Sequence, residues 1–127
     1  MDPERWRDVA GYEGQYQISD YGRVKSVARM VGYTRLFDSI MGQFTHYKGH
    51  KYIFLSKDNV KQKYFVHILV AEAFIVNPHP IKYRLVNHRD GCKVNNHYLN
   101  LEWTSTAANT QHYYDGVRRM EIREEGM

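Results

Sequence analysis

The spacing of apolar residues changes at Val66, and this change does most to limit the folds that the chain can adopt. Before it, short runs of aromatic and β-branched residues are broken by glycines, a pattern typical of short strands joined by tight turns. After it, apolar residues recur with the period of one helix face. The sequence therefore predicts an α+β fold. The helical face comprises Val66, Leu69, Val70, Ala73 and Phe74.

The other expected elements are short and are separated by turn signals. Residues 57–59 mark a turn between two strands, and the proline-containing run at 77–80 ends the helix. An Asp-Gly pair at 90–91 begins a turn between two later strands. The expected strands cover 50–56, 62–66, 84–87 and 101–103, and a final helix covers 106–114.

The charge of the chain favours an acidic partner. Lysine and arginine number 18 against 14 acidic residues, and several of those acidic residues lie close to the C-terminus. The basic body that remains suits the phosphate backbone of a nucleic acid. A solvated basic surface would have the same composition, so charge alone leaves both interpretations open.

The sequence shows no sign of secretion or membrane insertion. No stretch is apolar and long enough to span a membrane, and the N-terminal residues lack the apolar core of a secretion signal. The chain has one cysteine, Cys92, which cannot form an internal disulfide or a cysteine zinc cluster. We therefore expect a cytoplasmic protein.

The C-terminal half concentrates polar residues that a structural role does not require. Asn87 and His88 stand at a strand end, Asn100 precedes the next strand, and Asn109 falls in the last helix. A strand–loop–strand–helix order can bring these side chains together. A histidine base and amide oxygens that hold a hard divalent cation are the groups that phosphodiester hydrolysis needs.

Three segments carry a resemblance to a known family. The segment LVNHRDGCKVNNHYLNLEW resembles the signature of the HNH endonucleases, whose fold is two strands and a helix around a metal ion. Upstream, FVHILVAEAFIVNP is similar to the helix before this motif in phage-type HNH homing endonucleases. Further upstream, WRDVAGYEGQYQISDYGRVKS resembles a small DNA-contacting sheet that is often fused to them.

The resemblance implies a division of the chain into three parts. We expect a β-rich, antiparallel, DNA-contacting module at 1–49 and an HNH nuclease domain with a ββα-metal motif at 50–116. A charged tail at 117–127 follows. If a phage encodes the protein, its compartment is the cytoplasm of the host cell.

The resemblance also implies a role for each polar residue. His88 matches the general base, and Asn100 matches the middle asparagine, which ties the two strands together and orients the histidine. Asn87 and Asn109 match the two ligands of one divalent ion, Mg²⁺ or Mn²⁺, and His112 is a reserve ligand. Part of the family has aspartate where Asn87 stands, so the metal site here carries less negative charge.

Two functions from different classes remain open. The first is a weakly specific, metal-dependent nickase acting on double-stranded DNA as a monomer or homodimer. The second is a DNA-binding protein whose nuclease site has decayed, because Asn87 stands in place of an acid. We expect His50 to be a surface or loop residue and His67 to have a structural role at the helix start. The expected DNA-binding residues are Arg23, Lys25, Arg29, Arg89 and Lys93.

Overall fold

Four small antiparallel sheets and one α-helix form residues 3–106, the part of the chain that the computed structural model describes. The expected α+β class is confirmed, and the expected strands and first helix lie within two residues of their expected bounds. The final helix expected over 106–114 lies, apart from Thr106, outside the described residues. The elements are β1 (Trp6–Asp8), β2 (Tyr16–Ser19), β3 (Val24–Ser26), β4 (Arg29–Val31), β5 (Thr34–Leu36), β6 (Ser39–Ile40), β7 (Phe44–Thr45), β8 (Lys51–Lys57), β9 (Val60–Phe65), α1 (Val66–Phe74), β10 (Leu85–His88), a 3₁₀ turn (Tyr98–Asn100) and β11 (Leu101–Thr104).

The sheets follow the order of the chain closely. The first has the strand order β1–β2–β3–β6, and the hairpin β4–β5 lies in the connection between β3 and β6. The third sheet is β7–β8–β9, and the fourth is the hairpin β10–β11. Lys57 pairs with Val60, so β8 and β9 are joined by a two-residue turn. Its residues, Asp58 and Asn59, have φ values of 52° and 64°, which these two residue types tolerate better than most.

Helix α1 occupies the centre of the described structure. It contacts β2 of the first sheet, β8 and β9 of the third, and both strands of the last hairpin. Burying one aliphatic side chain such as Val70 contributes roughly 1.5–3 kcal/mol to the stability of the fold. Because α1 packs against strands on both sides, it stabilises both halves of the described chain. No helix among residues 3–106 is long and apolar enough to cross a membrane. The largest fully buried apolar side chains are Ile18, Val24, Ile53, Leu55, Val66, Val70 and Leu101.

The last hairpin is fastened to the end of this helix. Helix α1 ends at Phe74, and the extended residue Ile75 follows it. The indole Nε1 of Trp103 in β11 donates to the carbonyl oxygen of Ile75 at 3.0 Å. The hairpin that carries His88 therefore has a fixed position relative to the helix that carries His67.

The turn between β2 and β3 packs directly on the loop between β10 and β11. Gly22 has a φ of 87°, and a Cβ atom there would lie 2.7 Å from the Cβ of Asn96, so only glycine fits this position. The backbone N–H of Tyr98 donates to the carbonyl oxygen of Asp20 at 2.8 Å. We expect the domain boundary between residues 49 and 50. Strands β7 and β8 of the third sheet lie on either side of that point, and the boundary stays a prediction.

Candidate active site

His88 is the last residue of β10 and is only 4 % exposed. Its Nε2 lies 2.7 Å from Oδ1 of Asn96, which is also 4 % exposed. Because an amide oxygen can only accept a hydrogen bond, Nε2 is the donor, and the lone pair of the imidazole is on Nδ1. The site therefore holds a histidine whose tautomer is fixed and whose Nδ1 is basic.

Asn100 holds the loop that follows His88. Its Oδ1 accepts from the Asp90 N–H at 3.1 Å, and its Nδ2 donates to Oδ1 of Asp90 at 2.9 Å and to the Asn95 carbonyl at 2.8 Å. Its own carbonyl accepts from the Arg89 N–H at 2.7 Å. These bonds fit the expectation that Asn100 ties the two strands together. They do not orient the histidine directly, because Asn96 makes the hydrogen bond to its ring.

Asp90 completes this loop as an anion. Hydrogen bonds from the Asn95 side chain, the Cys92 N–H and the Asn100 side chain hold the pKa of its carboxyl below the usual range. The loop is therefore ordered by an ionised carboxylate at neutral pH. The sequence marks Asp90 as a turn residue but gives no reason to single out Asn96, whose only signal is its place in a pair of loop asparagines.

Asn87 lies on the opposite face of β10 from His88, because successive side chains of a strand point to opposite sides. Its Nδ2 donates to Oε1 of Glu102 at 2.9 Å, and Glu102 faces it directly across the hairpin. Arg89 lies 3.5 Å from the other carboxylate oxygen. The amide oxygen of Asn87 and the carboxylate of Glu102 are hard donors of the kind that Mg²⁺ or Mn²⁺ takes. Two expected ligands, Asn109 and the reserve His112, lie outside the described residues.

Two further histidines contact His88. The ring centroids are 4.5 Å apart between His50 and His67, 5.0 Å between His67 and His88, and 5.5 Å between His50 and His88. One ring nitrogen of each lies within 4.8 Å of the other two. His50 lies in the loop before β8 and is partly exposed, in keeping with the expectation of a surface or loop residue, but its Nδ1 is buried. His67 lies in the first turn of α1, as expected, and is buried.

The two added histidines are neutral. Burial, and then the proximity of His50 and His88, lowers the pKa of His67 to about 3. Burial also lowers the pKa of His50, and the charges of His88 and Lys93 add to the effect. Among residues 3–106, the Nδ1 atoms of His50 and His67 are the buried side-chain polar atoms with no hydrogen-bond partner.

Arg23 and Lys25 form a small cationic patch on the first sheet. Nε of Arg23 donates to Oε2 of Glu4 at 2.9 Å, so part of its charge is neutralised. The Lys25 ammonium lies 4.1 Å from the ring centroid of Trp6, and the Arg23 guanidinium lies 5.5 Å from it. Lys25 therefore retains the free positive charge that a phosphate contact needs.

The three other expected DNA-binding residues have partners within the protein. Nη1 of Arg29 donates to the carbonyl oxygens of Gln15 and Val27 at 2.7 and 2.8 Å. Nζ of Lys93 donates to the carbonyl oxygen of Lys48 at 2.7 Å. Arg89 forms the ion pair with Glu102 already described. These contacts give each residue a structural role, and their contact with DNA stays a prediction.

One face of the third sheet carries aromatic rings and lysines. Strand alternation buries Ile53 and Leu55 on the inner side and turns the residues between them outward. On this outer side, Nζ of Lys63 lies 4.2 Å from the Tyr52 ring, and Nζ of Lys61 lies 4.8 Å from the Phe54 ring. The aromatic–basic face comprises Phe44, Tyr52, Phe54, Lys61, Lys63 and Phe65.

The aromatic–basic face leads to the three histidines. The Phe65 ring lies 5.8 Å from the His67 ring and 6.0 Å from the His50 ring. The sequence places Lys61 and Lys63 in the basic body that suits a phosphate backbone, but it does not assign them to a surface. The alternation of these lysines with Gln62 predicts that both lysines lie on one face of a strand. Only the pairing of β8 with β9 shows which aromatic residues share that face.

Comparisons with known proteins place the chain among nucleases. The NUMOD4 motif matches residues 4–66. An uncharacterized HNH endonuclease of Acanthamoeba polyphaga mimivirus is 35% identical over 108 residues, which are 85% of this chain and 29% of the relative. DNA endonuclease I-HmuI of Bacillus phage SP01 is 32% identical over 106 residues, which are 84% of this chain and 55% of the relative. The chain thus spans between about a third and about half of the length of these relatives.

A solved structure resembles the fold as well. It describes DNA binding and cleavage by the HNH homing endonuclease I-HmuI, and it matches with a TM-score of 0.72 and 27% sequence identity. The match covers 94% of this chain and 66% of the solved one. The likeness therefore includes both the first sheets and the hairpin that carries His88.

Proposed function

We propose that this chain, which is similar to HNH endonucleases over most of its length, is a metal-dependent endonuclease that nicks double-stranded DNA with His88 as general base. The observation that carries the proposal is the bond between His88 and Asn96, which puts the basic lone pair on Nδ1. A base with this fixed tautomer can take a proton from water without first rearranging. The activities named for the relatives support the same reaction class.

The proposed reaction is a hydrolysis of the phosphodiester bond. Nδ1 of His88 accepts a proton from water, the water oxygen forms a bond to phosphorus, and the bond to the 3′ oxygen breaks. The leaving 3′ oxygen takes up a proton from solvent, so the products are a 5′-phosphate and a 3′-hydroxyl. Asn96 holds the imidazole during this step, and Asn100 holds the loop on which Asn96 lies. A divalent ion held by Asn87 and Asn109 would stabilise the charge on the phosphate and the leaving oxygen.

We propose that the aromatic–basic face positions the DNA. Its lysines offer positive charge to phosphates, and its rings line the path that ends at His50 and His67. A duplex lying along this path would bring a phosphate towards His88. The patch of Arg23 and Lys25 extends the contact, with less free charge, because Glu4 pairs with Arg23.

We expect the double variant Lys61→Ala/Lys63→Ala to weaken DNA binding and flatten its dependence on salt. Each phosphate contact contributes about 0.9 to the slope of log K against log salt, so losing both lowers the slope by about 1.8. Fluorescence anisotropy with a labelled duplex across a sodium chloride series measures this slope. Arg23→Ala/Lys25→Ala should lower it by less.

The matched control is Lys82→Ala, which removes one exposed lysine outside both surfaces. We expect its slope to equal that of the unaltered protein. If the Lys61/Lys63 variant also kept the full slope, the aromatic–basic face would not contact phosphates.

Supercoiled plasmid tests the proposed function as a whole. With Mg²⁺ or Mn²⁺ present, we expect open circles to accumulate before linear DNA, because one active site cuts one strand at a time. Cut positions mapped on linear DNA should be numerous, since a small contact surface reads few base edges. Direct linearisation at a single position would contradict both the nickase and the weak specificity.

The alternative function is a DNA-binding protein whose nuclease site has decayed. The neutral Asn87 favours it, whereas the carboxylate of Glu102 beside Asn87 returns negative charge to the same place. Salt-dependent binding to DNA with no nicking in either metal would identify the decayed protein. Nicking that requires His88 would exclude it.

A further inference from the structure

We infer that His50, His67 and His88 form a binding site for a transition-metal ion of the zinc class, and that its occupation switches off His88 as a base. The site is separate from the proposed oxygen-donor site at Asn87, which lies on the other face of β10. The binding of the metal rests on geometry alone. The effect on cleavage rests on the proposed function.

The three imidazoles already have nearly the spacing of a metal site. One nitrogen of each lies within 4.8 Å of the others. Zinc binds imidazole nitrogen at about 2.0–2.1 Å, which places the donors of a tetrahedral site about 3.4 Å apart. The donors therefore need to approach by about 1.4 Å or less. His50 is only partly buried, so of the three histidines it has the most freedom to rotate towards the other two.

The unpartnered nitrogens favour a ligand at this place. Among the described residues, Nδ1 of His50 and Nδ1 of His67 are buried and make no hydrogen bond. The His67 residue as a whole is only 6 % exposed. A buried polar atom without a partner destabilises the folded protein, and a bound metal would remove that cost. The neighbouring histidines of the cluster do not supply the missing bond, and their rings stack or tilt against each other.

The donor type selects the metal. Neutral imidazole suits zinc, cobalt, nickel and copper, whereas magnesium takes oxygen ligands. Three histidines would leave a fourth position open to water. A site of this kind should therefore bind zinc or cobalt while magnesium is in large excess.

Occupation of this site has a direct consequence for the base. Asn96 holds Nε2 of His88, so the free lone pair on Nδ1 is the one available to a metal and is also the one proposed to take a proton from water. One lone pair cannot serve both. A bound zinc ion would therefore inhibit a reaction that magnesium supports.

Cobalt binding tests the site without any need for cleavage. The full chain, without DNA and with excess Mg²⁺, is titrated with Co²⁺, and the visible absorption of the ion is recorded. We expect one cobalt ion per chain, and affinities at least about tenfold lower for His50→Gln and for His67→Gln. His79→Gln, which alters an exposed histidine, should bind like the unaltered protein.

Two results would overturn the site. One is the absence of cobalt binding to the unaltered chain, and the other is unchanged binding by His50→Gln. His50→Gln is the decisive variant because His50 is partly exposed, so this replacement leaves the core intact. It can be tested even if His67→Gln fails to fold.

Zinc inhibition tests the switch. Zn²⁺ added to the Mg²⁺ reaction should slow plasmid nicking at least about tenfold, and further Mg²⁺ should not restore the rate. For His50→Gln, zinc should change the rate far less, relative to that variant's own rate in Mg²⁺ alone. Full nicking at a saturating zinc concentration would overturn the switch. If the chain does not cut DNA at all, the proposed function fails, and the cobalt titration still decides the site.

Discussion

We expect His88→Ala to lower the rate of DNA nicking roughly 10²–10⁴-fold while DNA affinity changes by about threefold or less. The reason is that a general base acts on the water in the transition state and contributes little to binding of the uncut duplex. The aromatic–basic face, which we propose binds the DNA, is untouched by this change. Single-turnover nicking and fluorescence anisotropy on the same preparation measure the two quantities.

Loss of structure must be separated from loss of the base. His88→Ala removes a buried ring and leaves Oδ1 of Asn96 without its partner, which costs about 1–3 kcal/mol. Thermal unfolding of the variant shows whether it is folded at the assay temperature. His79→Ala is the matched control at an exposed histidine and should nick at the normal rate. Near-normal nicking by a folded His88→Ala protein would remove His88 from the mechanism.

The second large effect we expect is the complete loss of nicking in excess EDTA, with recovery on addition of Mg²⁺ or Mn²⁺. Hydrolysis at a phosphate needs a cation to stabilise the charge that develops on the leaving oxygen. Asn109→Ala should raise the metal concentration at half-maximal rate, because it removes an oxygen ligand. Full activity in EDTA would contradict metal dependence altogether.

Variants of Asn87 and Glu102 sharpen the metal test. Asn87→Asp replaces a hydrogen-bond donor with a second carboxylate facing Glu102. Two facing carboxylates repel each other until a cation lies between them. We therefore expect this variant to be less stable without metal, to regain stability with Mg²⁺, and to need less metal for nicking. Glu102→Gln should need a higher metal concentration for nicking. Equal metal requirements in both variants would show that neither side chain is near the ion.

Local pattern was enough to predict much of this fold. The apolar spacing of Val66, Leu69 and Val70 is a property of one helix, and the Asp58–Asn59 turn is a property of one hairpin. The helix and the turn could both be predicted because the residues that form each of them are close together in sequence. The role of Asn100 was implied by the family resemblance, and its bonds also stay within the loop that it closes.

The parts of the site that the sequence did not predict depend on contacts between distant segments. His50 precedes β8, His67 begins α1, and His88 ends β10, so only the packing of the third sheet and the last hairpin around the helix brings them together. Whether a charged side chain is free to bind DNA also depends on contacts between segments that are distant in sequence. Arg29 counts as a cation in the sequence, but the carbonyl oxygens that hold it belong to turns whose positions the sequence does not show.

The contact between Gly22 and Asn96 restricts how proteins of this kind can exchange parts. A recombinant that joins another N-terminal segment to this hairpin keeps His88 in its tautomer only if the new turn also leaves room at the position of Gly22. Any larger residue there pushes on Asn96, which holds the histidine. Exchange of whole modules between homologues is therefore restricted at a single backbone position that supplies no side chain to the site.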